Sequence, residues 1–145
     1  MKTALVGKLS LFFIAAFISL FLFQCKNVSD KPLNPNGDSE LALLMRMMND
    51  STASIKELVE QGKLPGKFPE AFLKIHTAKP TDPTVKNEEF EAFAASYVEG
   101  LKQLYQSSPS ELETNYNSLV QRCINCHQSV CPGPIKAIKK LKIED

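Results

Sequence analysis

Residues 108–128 read SPSELETNYNSLVQRCINCHQ. Leu112, Tyr116, Leu119, Cys123 and Cys126 follow one another at steps of four, three, four and three. That spacing puts them on one face of an α-helix. Ser108 is placed to cap the helix, with Pro109 at its first position and Glu111 completing a capping box. Pro132-Gly133-Pro134 ends it, because proline removes a backbone donor and clashes with the preceding turn. The apolar stripe of this helix is expected to carry both cysteines into the core.

The chemistry of the stretch lies in Cys123-Ile124-Asn125-Cys126-His127. Cys-x-x-Cys-His is the attachment signal for c-type haem. Cysteines three apart sit almost one turn apart on a helix, so both thiols can reach the two vinyl groups of one porphyrin. His127 follows directly and can bring its imidazole beneath the same ring to bind iron. Three other readings compete. A redox dithiol expects a βαβ setting, which the sequence does not provide. A zinc site from Cys123, Cys126, Cys131 and His76 or His127 fits no common finger spacing. Chance is the third, since short motifs arise by accident.

Three more helical segments lie upstream. Asp38 or Ser39 can cap a first helix running to about Gln61, with Gly62 as its stop. Its stripe is Leu41, Leu44, Met45, Met48, Ile55, Leu58 and Val59. Pro69 opens a second, shorter helix to about Ala78, with Phe68, Phe72 and Ile75 on one face. Pro80-Thr81-Asp82-Pro83 breaks the chain. A third helix spans about Asn87 to Gln106 on the stripe Phe90, Phe93, Tyr97, Leu101 and Leu104. After Pro134 comes a short amphipathic turn with Ile135, Ile138 and Leu141 facing in and Lys136, Lys139, Lys140 and Lys142 facing out. Strand periodicity and internal repeats do not compete. The expected fold is all-α, an antiparallel four-helix bundle with the cysteine motif on its last helix.

The chain begins with an address. Lys2 and Lys8 flank the charge-free run LSLFFIAAFISLFLF over residues 9–23. As a helix the run spans ~22 Å, short of the ~30 Å hydrocarbon core, and matches a secretory signal better than a span. Leu22-Phe23-Gln24-Cys25 resembles the lipobox of bacterial lipoproteins, although Gln24 is larger than the residue usual there. The resemblance implies cleavage before Cys25 and lipid attachment to it. The competing reading is an uncleaved anchor with Cys25 a bystander. Residues 1–24 are thus expected to be a lipoprotein signal peptide, 25–38 a flexible tether rich in Lys, Pro, Asn, Gly, Ser and Asp, and 39–145 the helical domain. Either reading places that domain outside the cytoplasm, in the bacterial periplasm or cell envelope, held at a membrane.

The formal charge of +1 falls to about −1 once Lys2 and Lys8 leave with the signal. No basic footprint for nucleic acid remains. Trp is absent, but Phe, Leu, Ile and Met suffice for one core.

A signal followed by a helical bundle with Cys-x-x-Cys-His near the end of its last helix resembles the class II cytochromes c, the cytochrome c′ type. The resemblance covers roughly residues 39–140. It implies one haem c cradled between the first and last helices, thioether-bonded to Cys123 and Cys126, with His127 as proximal iron ligand. In the electron-carrying branch of the family a methionine of the first helix supplies the sixth ligand. Met45 and Met48 lie on the apolar stripe of the matching segment, while Met47 points elsewhere. Met45 is chosen as that ligand, with Met48 its substitute; core filling is the plainer role for both. Ser51, Thr52 and Ala53 are small enough to leave room for a porphyrin. A basic residue often stands four places after the ligating histidine in this family; Cys131 stands there here. It is read as a buried thiol, with pairing between chains as the other use. His76 is read as an ordinary hydrogen-bonded residue that competes for the sixth position.

Three function classes follow. The first is a membrane-tethered carrier of single electrons, not an enzyme, meeting redox protein partners at the membrane; the lysines of the last turn can steer an acidic partner, although a solvated helix face is the plainer and preferred reading of them. The second is a cytochrome c′-like protein binding NO or CO at an open iron. The third is a non-haem metal-binding module. Family members often form dimers through the first two helices, which makes a homodimer possible.

Overall fold

The computed structural model describes residues 37–144. The expected signal peptide 1–24, the expected lipid site Cys25 and nearly all of the expected tether 25–38 lie outside the described residues. Every regular element described is helical. Helix α1 spans Glu40–Glu60, α2 Glu88–Tyr105, α3 Leu112–Ser129 and α4 Ile135–Lys139; 3₁₀ segments occupy Glu70–His76 and Pro83–Val85. Among the described residues no helix is long and apolar enough to cross a membrane.

The caps explain most boundaries. Ser39 Oγ accepts from Ala42 N at 3.2 Å and starts α1. Gly62, at φ +67°, takes the left-handed conformation just past its end. Asn87 Oδ1 accepts from Phe90 N at 2.9 Å and starts α2. The start of α3 differs from the expectation. Ser108 donates its N–H and its hydroxyl to the Glu111 carboxylate. Only the returning half of the capping box forms, residues 108–111 make a turn, and the helix begins at Leu112. The expected second helix is also shorter, a seven-residue 3₁₀ segment. Pro69 and Pro80 bracket it closely, and runs this short gain little from α-helical cooperativity. Among the described residues there are therefore three long helices, not four.

Helices α2 and α3 run antiparallel. Asn115 donates to Ser107 Oγ at 2.9 Å near one end, and two turns further along α3 Arg122 Nη1 donates to Ser96 O, midway along α2, at 3.1 Å. Leu101, Leu104, Leu112, Tyr116, Leu119 and Val120 fill the core with essentially no exposure. Each such side chain contributes about 1.5–3 kcal/mol of hydrophobic stabilisation. Tyr116 also ties three elements: its hydroxyl donates to Leu141 O at 2.8 Å and lies 3.2 Å from Thr52 O. Lys56 Nζ donates to Lys142 O at 2.6 Å, and Asn117 exchanges two hydrogen bonds with Ile143. These bonds hold α4 and the chain after it against α1 and α3.

The N-terminal end of α1 is tied elsewhere. Leu41 N donates to Lys79 O at 3.0 Å, and Lys79 N donates to Glu40 Oε2 at 3.1 Å. His76, three residues before Lys79, bonds Glu91 in the first turn of α2. The start of α1 is thereby drawn toward the start of α2. Because α2 and α3 are antiparallel, that end of the domain also carries Cys123–His127.

Candidate functional site

Cys123, Cys126 and His127 occupy the last two turns of α3. The buried stripe of that helix runs Leu112, Tyr116, Leu119, Val120 and Ile124. Cys123 is half-buried and packs against the core, but Cys126 is half-buried without joining it. The expectation that both cysteines share the buried stripe is corrected here. The buried row that reaches the motif is Leu112, Tyr116, Val120 and Ile124, at steps of four. Each step of four advances ~40° round a 3.6-residue helix, whereas Leu112, Leu119 and Cys126, at steps of seven, drift ~20° per heptad the other way, so the two rows diverge toward the C-terminal end and Cys126 is left off the buried face.

Burial pushes the Cys123 thiol up to about 12, with the neighbouring Cys126 adding to the shift. Burial also pushes Cys126 up to about 11, helped by Cys131 and Glu89. Glu89 belongs to the first turn of α2, so that turn faces Cys126. Both thiols stay protonated at neutral pH. Since the thiolate is the nucleophile, neither reacts readily unaided.

The orientation of His127 is set by its partner. Its Nδ1 lies 2.8 Å from Cys131 O. A carbonyl oxygen can only accept, so Nδ1 carries the proton and donates. In the neutral ring the lone pair is then on Nε2, the arrangement that metal-ligating histidines adopt. The Cys131 carbonyl is available because α3 ends at Ser129, ahead of Pro132-Gly133-Pro134. Two thiols one turn apart and an adjacent imidazole with Nε2 open form a donor set that suits a porphyrin held by thioethers and ligated once.

The remaining candidates separate. Met48 is buried in the core, Met45 is half-buried at its edge, and Met47 is exposed. Both Met45 and Met48 lie in the half of α1 drawn toward the motif. Thr52 does not simply leave room. It is buried, donates its hydroxyl to Met48 O at 2.7 Å, and lends its carbonyl to Tyr116. His76 is exposed and donates from Nδ1 to Glu91 Oε2 at 2.8 Å. Cys131 is half-buried. Among the described residues no three His, Cys, Asp or Glu side chains are grouped to hold a metal ion. Cys123, Cys126 and Cys131 with His76 or His127 therefore do not assemble as a zinc site. Lys136, Lys139 and Lys140 are exposed, while Lys142 is half-buried and gives its carbonyl to Lys56.

Two polar atoms escaped the sequence reading. Among the described residues, Tyr97 Oη and Arg122 Nε are buried without a hydrogen-bond partner. An orphaned buried hydroxyl costs roughly 1–3 kcal/mol. Burial first, then Cys123 and Tyr105, raise the Tyr97 phenol well above its usual range, so it is a proton donor. A tyrosine on an otherwise apolar stripe was the available signal, because its tip needs a partner when buried.

Comparison with protein-family models, with curated proteins and with solved structures finds no match to this chain.

Proposed function

We propose that this protein is an exported, membrane-tethered c-type cytochrome that carries single electrons, with one haem bonded through Cys123 and Cys126 and its iron ligated by His127. The observation that carries this reading is the Nδ1 bond from His127 to Cys131 O, which leaves Nε2 for the metal directly beside both thiols. When bound, the haem supplies a one-electron iron couple. The polypeptide's part is to anchor the ring, orient the proximal imidazole and exclude water. The all-helical fold supports a relationship to cytochrome c′-type bundles, with the 3₁₀ segment Glu70–His76 at the place of a second helix.

Lipid on Cys25 would keep the domain near its redox partners, and the tether would set their effective concentration. Leu43 and Met47, one turn apart and exposed on α1, offer an apolar surface for a homodimer.

The test is full-length protein produced in a host that matures c-type cytochromes. The expected product is red, heavier than the polypeptide by one haem that denaturation does not release. A visible spectrum with and without carbon monoxide then separates electron carrier from gas binder. Colourless protein with the mass of the polypeptide alone overturns the reading.

A further inference from the structure

The two orphaned donors have different explanations. The terminal nitrogens of Arg122 bond Ser96 and Gln103 and so anchor the side chain with its Nε against Gly100. Tyr97 has no second polar atom on its side chain to explain its hydroxyl in that way. Its ring completes the α2 stripe with Phe90, Ala94, Leu101 and Leu104. A phenylalanine would fill the same space without a buried hydroxyl. Tyr97 also sits level with the motif. Ser96 beside it takes the side chain of Arg122, and the Cys123 thiol is near enough to disfavour the phenolate. The described residues give this hydroxyl no acceptor.

The group that Cys123 is read to carry would bring one. Haem bears two propionate carboxylates, and its iron can hold an oxygen-containing ligand. We propose that Tyr97 contacts the haem, its hydroxyl donating a hydrogen bond to an oxygen carried by the cofactor attached at Cys123. This rests on the cytochrome reading. It also explains why the bare chain leaves a donor buried there: the acceptor arrives with the cofactor.

The experiment compares matured full-length wild type with Tyr97→Phe. It reads the midpoint potential without added ligand and the C–O stretch of the ferrous carbon monoxide complex. If a propionate accepts, removing the donor leaves more negative charge near the iron and favours the ferric state. The oxidation equilibrium then shifts about tenfold, a fall of ~59 mV in potential for one electron. If the acceptor is a ligand on iron, the C–O stretch moves instead. Tyr105→Phe is the comparison, because Tyr105 packs edge-on against Phe68; it should change neither reading. A Tyr97→Phe protein with full haem content, an unchanged potential and an unchanged stretch overturns the proposal but leaves the cytochrome reading standing. Equal shifts in Tyr105→Phe overturn it too. Wild type that contains no haem overturns both.

Discussion

Arg122 fills the space above Gly100. A Cβ at Gly100 would fall 2.6 Å from both Cδ and Nε of Arg122. Arg122 is held in place by Ser96 O, Ser96 Oγ and Gln103 Oε1. This contact clamps α2 to α3 one residue before the first cysteine of the motif.

Gly100→Ala therefore sets two effects against each other. Alanine gains ~1 kcal/mol of helix propensity over glycine, while overpacking costs about 1–3 kcal/mol. The expected result in urea unfolding is a net loss of about 1 kcal/mol. Combined with Arg122→Ala, the same substitution should stabilise by about 1 kcal/mol, because the clash is gone. A loss unchanged by Arg122→Ala would remove the clamp from the account.

Met45 and Met48 should separate by readout. Met48→Ala empties a buried site and should cost about 2–5 kcal/mol, with the haem spectrum retained. Met45→Ala, at the core edge, should cost less; if the proposed haem takes Met45 as its sixth ligand, the variant should open that position, seen as a low-spin to high-spin change and faster carbon monoxide binding. If neither variant alters the spectrum, no methionine of α1 ligates the iron.

Tyr116→Phe deletes the hydroxyl that joins α3 to Leu141 and Thr52. The expected loss is about 1–2 kcal/mol, with faster amide exchange in residues 138–143. Unchanged exchange there would mean that Lys56 and Asn117 suffice to hold the C-terminal segment.

Glu111 provides the pH test. The Ser108 hydroxyl, and then its N–H, hold the Glu111 carboxyl below its ordinary value of 4.5. A folded-state value below the unfolded one stabilises the fold when the group is ionised. That contribution is present above 4.5 and fades as pH falls through the lower folded value. Wild type should thus exceed Glu111→Gln in thermal stability at pH 7, and the two should converge in acid. A difference that persists at pH 2 would assign the effect to something other than the carboxylate.

Much of the helical layout was legible in the residues. Ser39 caps as its position suggests, the third expected helix starts beside Asn87, Gly62 ends α1, and Pro132 to Pro134 follow the end of α3. These are local effects of side chains on the nearest turn. The second segment was misjudged because Phe68, Phe72 and Ile75 have helical spacing whether the turn is α or 3₁₀. Ser108 was misjudged because its hydroxyl had two possible partners, and it chose the Glu111 carboxylate over the backbone.

The site divides along the same line. The proximity of the donor set was legible in the sequence, because Cys123, Cys126 and His127 are neighbours on one helix. Only the tertiary structure decided that Ile124 replaces Cys126 on the buried face, that His127 finds Cys131 O, and that Tyr97 is buried with no acceptor among the described residues. Those outcomes depend on where α2 crosses α3 and where the chain turns after Ser129, and no periodicity along a single helix encodes what a second helix will bring against it.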